Sequence, residues 1–282
     1  MTTSRIGRLL PETARILAAL VGHDARIVRA LRPAYERLLA RLAGGRGLSW
    51  SINGVPCRID PGLRDRVPPE YEVGAARFLA AHVRPGDLCL DIGANVGAYV
   101  LQLAHWSRPD GRIIAFEPNP AAAELLERHL RFNHLTGRVE VVRSAVGAEA
   151  GSALLHAAGA DGRGRLDAPN PELAGHTQPV SVPVTTIDDF CAARGVRPHW
   201  VLLDIEGLEI AALSGGRRTL TASPRPGVVV EMHPSAWPLS GTTRAAAEAL
   251  CRDLGVTAVS LSGQADPYAE HGLVHLAPVA EP

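Results

Sequence analysis

In Leu88-Cys89-Leu90-Asp91-Ile92-Gly93-Ala94-Asn95-Val96-Gly97 an apolar run meets a carboxylate, then a turn of small residues that opens a helix. Gly93 and Gly97 let the backbone pass close to a ligand and take turn conformations that a side chain forbids. Asp91, at the strand's end, is placed to meet a ligand ammonium or a backbone amide. The run looks like a dinucleotide fingerprint, yet Asn95 stands where the second glycine would let a pyrophosphate approach. A ligand whose charged part is an ammonium rather than a phosphate suits this turn.

Two further carboxylate sites follow the same logic. Ile113-Ile114-Ala115-Phe116-Glu117-Pro118-Asn119-Pro120 ends a second strand in an acid that can accept hydrogen bonds from both hydroxyls of a ribose. Asn119 before Pro120 is also a helix start, with an N-cap oxygen and proline at the first helical position. Val201-Leu202-Leu203-Asp204-Ile205-Glu206-Gly207 places two acids at a strand end, where a doubly wound sheet forms its ligand crevice. One of them can instead serve the first turn of the next helix. Glu231-Met232-His233 ends another strand, and His233 is a general-base candidate beside Glu206.

The elements that position these residues alternate. Strands are predicted near 87–92, 112–117, 138–143, 200–204, 228–232, 256–262 and 272–277, with helices near 72–83, 97–107, 120–134, 186–194, 207–213 and 241–254. Such alternation means an α/β fold: a doubly wound, mostly parallel, seven-stranded sheet covered on both faces. The last two strands are too close for a long helix between them, so one of them is expected to run antiparallel. Residues 157–180 show little periodicity and read as a lid or an excursion. A hairpin-like stretch, Trp50–Ile59, precedes this core.

Residues 1–46 read as a helical appendage to a domain spanning 47–282, whose core is 70–235. Ile27, Leu31, Tyr35, Leu38, Leu39 and Leu42 form one apolar stripe among arginines. Nine Arg against Glu12, Asp24 and Glu36 leave this segment six positive charges in surplus, a composition suited to packing on the main domain or pairing two copies as a homodimer.

Composition excludes several classes. All 29 basic residues are arginine, so a P-loop lysine and a pyridoxal Schiff base are both ruled out. Net charge is zero, and aromatic residues make up 4% of the chain, which offers nothing to nucleic acid. Cys57, Cys89, Cys191 and Cys251 form no C-x-x-C pair and suit a reducing cytoplasm. No stretch matches a signal peptide or a membrane span. No compact ligand cluster is visible, so no metal is assigned.

Taken together, Asp91–Gly97, Phe116-Glu117-Pro118-Asn119, Ser144-Ala145-Val146-Gly147, Asp204-Ile205-Glu206-Gly207 and Val230-Glu231-Met232-His233 resemble the FkbM-type methyltransferases in order and spacing, over residues 70–235. The resemblance implies the class I methyltransferase fold, which is Rossmann-like, with S-adenosylmethionine as cofactor. It also implies O-methylation of a small hydroxylated molecule, such as a sugar or a natural-product scaffold. Carried over by motif position, Asp91, Gly93, Asn95 and Gly97 surround the methionine part, and Glu117 holds the ribose. Asn119 and Ala145 lie beside adenine, while Ala94, Pro118 and Ser144 complete the cofactor set. Asp204 faces the sulfonium and joins His233 and Glu206 as a catalytic candidate, and Glu72 approaches the amino-acid end of the cofactor. The family's frequent lysine two residues before Asp204 is here Leu202, which removes a cation from that place. Two other readings share these motifs: a cofactor-binding scaffold without activity, and a nicotinamide oxidoreductase.

Overall fold

The computed structural model describes residues 38, 41, 44–160, 164–166 and 178–279. The apolar stripe expected over 27–42 lies outside them, apart from Leu38. Two compact units are distinguished, 1–69 and 70–282.

In the first unit, β1 (Leu48–Ile52) and β2 (Val55–Ile59) pair antiparallel, closed by Ile52 opposite Val55. Asn53 and Gly54 both have positive φ, as a two-residue hairpin turn requires. Trp50 Nε1 donates to Val67 O at 2.8 Å, tying the hairpin to the segment that follows it.

The second unit begins with α1 (Val73–His82) and then alternates: β3 (Leu88–Ile92), α2 (Ala98–Trp106), β4 (Arg112–Phe116), α3 (Pro120–Phe132) and β5 (Val139–Val142). After an excursion come α4 (Ile187–Arg194), β10 (Trp200–Leu203), α5 (Glu209–Ser214), α6 (Arg217–Leu220), β11 (Gly227–Met232), α7 (Arg244–Asp253), β12 (Val256–Ser260) and β13 (Gly272–Pro278). The excursion holds β6 (Ala145–Val146), β7 (Gly151–Ala157), β8 (Arg165–Leu166) and β9 (Gln178–Thr185).

Seven strands form one sheet in the order β12-β13-β11-β10-β3-β4-β5. The pairs β10/β11, β10/β3, β3/β4 and β4/β5 are parallel, and β13 runs antiparallel to both its neighbours. The expected antiparallel strand is therefore β13. The central strands are buried on both faces, which explains their unbroken apolar runs. Alternate residues still part to opposite sides. Leu90, Ile92, Phe116, Val201 and Leu203 pack with α4, α5, α6 and α7. Cys89, Ile113, Ala115 and Leu202 pack with α1, α2 and α3.

Caps set the helix starts. Asn119 Oδ1 accepts from Ala121 N at 3.1 Å with Pro120 at the first helical position, and Thr186 and Thr243 cap α4 and α7 in the same way.

The described part of residues 157–180 belongs to the excursion that the sequence reading allowed. β7 and β9 pair antiparallel from Gly151 opposite Val184 to Ala157 opposite Gln178, and β8 pairs with β7. Residues 161–163 and 167–177 lie outside the described residues.

Candidate active site

Chain order leaves β3 in opposite directions, through β4 and β5 on one side and through β10 and β11 on the other. The loops after β3 and β10 part at this switch point, and a crevice opens between them. Asp91 sits one residue before the end of β3, in register with Leu202 and Ala115. Gly93, at φ +90°, carries the turn past β10; a side chain there would collide with the Asp204 carbonyl. Gly93 N and Ala94 N both donate to Phe116 O at 3.0 Å, which binds the turn to β4. Gly97, at φ +93°, starts α2 where a Cβ would press on the Leu126 side chain.

Glu117 locks two turns together. Its Oε2 accepts from Asn95 N at 2.6 Å and its Oε1 from Asn119 N at 2.8 Å. Each carboxylate oxygen keeps a further acceptor position for the cleft. Burial pushes the carboxyl up to about 7, against the pull of the two amides. Asn119 both caps α3 and donates from Nδ2 to Gly159 O at 2.8 Å, so it is more than a cap. Ser144 Oγ is satisfied by backbone, with Ala145 O at 2.9 Å and Pro183 O at 3.0 Å.

These residues line a cleft of about 230 Å³. Gly93, Asn95, Glu117, Pro118, Asn119, Ser144, Ala145, Asp204 and Glu206 face it, with Phe116, Leu155 and Leu166 as apolar wall. Ala94, Gly97, Asp91, Glu72 and His233 do not line it. The first two shape the turn. Asp91 is 3% exposed, and its Oδ2 finds no hydrogen-bond partner among the described residues. Burial, then Asp204, Glu117 and Glu72, push this carboxyl up to about 8. Asn95 Oδ1 is also buried without a partner among the described residues. Two orphaned acceptors beside a cleft suit a ligand that donates hydrogen bonds or carries positive charge.

A second group of acids gathers at the ends of β10 and β11. Glu72 Oε2 accepts from Tyr99 Oη at 2.7 Å, and burial raises its pKa. Burial, then the charge of Glu72, raises the Glu231 carboxyl to about 7. Burial first, then Glu231, hold Asp204 well above the usual carboxylate range. Glu206 has a left-handed φ of 52°, and its Oε2 lies 3.6 Å from Arg165 Nη2.

Three residues here escape the sequence reading. Glu209 is fully buried and accepts from Gly207 N at 2.7 Å, His233 Nδ1 at 2.8 Å and Trp237 Nε1 at 3.0 Å. The run Asp204-x-Glu206-x-x-Glu209 is visible in the sequence, but its burial is not. Burial alone pulls the His233 imidazole down. The hydrogen bond and charge of Glu209, then Asp204 and Glu206, outweigh that and bring it up to about 9. Arg165 arrives on β8, inside the stretch read as a loop. His271 precedes β13, and the antiparallel pairing of Gly272 with Met232 sets it beside the end of β11. His271 Nε2 lies 2.7 Å from Glu231 Oε1, and one donor atom from each of Glu231, His233 and His271 falls within 4.8 Å of the others.

A mostly parallel seven-stranded sheet with one antiparallel strand, and a carboxylate-rimmed cleft at its switch point, define the class I methyltransferase fold. The family described as Methyltransferase FkbM domain matches residues 91–255. The chain belongs to this FkbM methyltransferase family. It is 26% identical over 151 residues to the 2-O-methyltransferase NoeI of Sinorhizobium fredii (strain NBRC 101917 / NGR234), covering 49% of this chain and 60% of that one. It is 39% identical over 69 residues to the 31-O-demethyl-FK506 methyltransferase FkbM of Streptomyces tacrolimicus, covering 24% of this chain and 25% of that one. The chain thus spans less than two thirds of the length of either relative. A crystal structure of methyltransferase FkbM from Methylobacillus flagellatus KT is similar with a TM-score of 0.49 and 19% identity, covering 93% of this chain and 58% of that one. Among the described residues no helix is long and apolar enough to cross a membrane.

Proposed function

We propose that this protein transfers a methyl group from S-adenosylmethionine to a hydroxyl of a small molecule. The observation that carries this reading is the Glu117 clamp, a buried carboxylate fixed by two backbone amides at the rim of a cleft. The residues present fit the cofactor. The acceptor positions left on Glu117 suit a ribose diol, and the orphaned Asp91 and Asn95 oxygens suit the cationic methionine end. Asn119 and Ala145 line the same cleft as the apolar Phe116 and Leu155, a setting suited to a purine. When bound, S-adenosylmethionine supplies an electrophilic methyl group on a sulfonium.

The chain's own residues then have two tasks. One is to orient the acceptor, which removes much of the entropic barrier to reaction. Glu206, held by Arg165, and Asp204 are the polar groups of the cleft at that end. The other is to receive the hydroxyl proton, for which Glu206 is the available group of the cleft, while the Glu209-supported His233 stands behind it. Both curated relatives carry names that place their methyl group on an oxygen, which favours a hydroxyl acceptor over an amine.

The test is calorimetric titration of the purified chain with S-adenosylmethionine and, separately, with NADH, followed by transfer of labelled methyl to a panel of hydroxylated metabolites. Micromolar binding of the methyl donor alone, with label recovered in a hydroxylated acceptor, is the expected result. Folded protein that ignores the donor overturns the reading, and binding of NADH instead would return it to an oxidoreductase. Donor binding with no turnover on any acceptor would mark a non-catalytic binder.

A further inference from the structure

Beyond the cleft, the ends of β11 and β13 gather an arrangement that methyl transfer by itself leaves unused. Glu231 and His233 are both buried, at 8% and 9% exposure, and His271 stands at the surface beside them. Their donor atoms lie within 4.8 Å of one another. We propose that Glu231, His233 and His271 bind a divalent transition-metal ion beside the cofactor cleft.

The surroundings are those of a metal ligand set rather than of a plain ion pair. Glu209, fully buried, takes the Nδ1 proton of His233 at 2.8 Å. That bond fixes the ring's orientation and turns out Nε2, a nitrogen with no hydrogen bond among the described residues, where a metal ion would displace the ring's second proton. A carboxylate behind a histidine in this way orients the ring and raises its basicity as a ligand. Gly207 N and Trp237 Nε1 hold Glu209 itself in place, so the support extends one layer further. Glu206 and Asp204 add negative charge around His233. Two imidazoles and one carboxylate favour zinc or another first-row transition ion over magnesium or calcium, which prefer oxygen ligands throughout. Three protein ligands leave a coordination position open.

Asp204 interacts electrostatically with Glu231 and also lines the cleft, so the site adjoins the cleft. On the methyl-transfer reading, on which this role rests, an ion held there would add positive charge beside the cleft and favour loss of the acceptor's hydroxyl proton to Glu206, a carboxylate of the cleft. The binding itself needs neither cofactor nor acceptor.

The test therefore uses the full chain, stripped with chelator and titrated with Co²⁺ in the absence of any methyl donor. One equivalent should bind and give visible d–d absorption. His271→Ala, an exposed position, should keep the fold and weaken binding more than about tenfold, since losing even a residue that only supports a ligand costs about that much. His271→Cys should restore binding and add a thiolate-to-metal charge-transfer band, which a merely structural role would not produce. Absence of stoichiometric binding, or Co²⁺ bound equally well by His271→Ala, overturns the site. Because no donor is present, that failure is distinct from a failed S-adenosylmethionine titration.

Discussion

Replacing Glu117 with glutamine tests the cofactor reading at the atom where it is strongest. In the native protein Oε2 accepts from Asn95 N at 2.6 Å and Oε1 from Asn119 N at 2.8 Å. Both oxygens are thus fixed in plane, with their remaining acceptor positions toward the cleft. Glutamine keeps one oxygen and turns the other into a donor, so one of the two amides faces an N–H group. A buried donor left unsatisfied costs about 1–3 kcal/mol of stability. Part of that is offset, because burial already holds the native carboxyl up to about 7 and its charge is unfavourable in the fold. The ribose also loses a charged acceptor, worth about 1.5–3 kcal/mol. That converts to about 10- to 150-fold in Kd. Calorimetry with S-adenosylmethionine at pH 8 measures the affinity, and a thermal melt of the same sample confirms the fold. A folded Glu117→Gln protein whose Kd lies within about twofold of the native value would refute the ribose assignment, since even one neutral hydrogen bond changes affinity by more than this.

The pH dependence of cofactor binding follows from the same carboxyl. Glu117, raised from 4.5 to about 7, must be ionised to accept both ribose hydroxyls, so affinity should fall about tenfold from pH 8 to pH 6; a flat Kd across that range contradicts it. The free protein should respond in the opposite sense. A raised carboxyl contributes stability that is full below 4.5 and is lost as pH rises through 7, which melts at pH 4.5 and pH 8 can resolve once other groups are accounted for. Gly93→Ala drives a Cβ into the Asp204 carbonyl at φ +90° and should cost more than about 2 kcal/mol in urea unfolding, while a native midpoint would mean the turn is not built as described. Glu209→Ala strands three buried donors, on Gly207, His233 and Trp237, and should lower stability by about 3–5 kcal/mol; a melt unchanged from native would remove Glu209 from its supporting role.

Much of this fold is written locally. Strand β3 and its turn are legible because a fully buried parallel strand needs an unbroken apolar run, and the backbone after it needs glycine where φ is positive. Asn119 before Pro120 announces α3 by cap chemistry that acts within one helical turn. That one of the last two strands runs antiparallel is legible from spacing, since no long helix fits between them, but only its pairing with β11 and β12 decides that it is β13. The strands of the excursion are not. In β7 only Leu155 is fully buried, so alternation is absent, and Pro179 and Pro183 disguise β9 as loop. The acids at the strand ends are likewise visible as residues, but their environment is not. Asp91 lies buried with an oxygen that has no partner among the described residues, and Glu209 becomes the hub of three hydrogen bonds, two of them from His233 and Trp237, distant in sequence. His271 joins Glu231 and His233 through the pairing of β13 with β11. Residue types and short-range spacing determine which groups can reach the carboxyl ends of the strands. Strand pairing and burial decide which of them meet, and which keep their protons when they do.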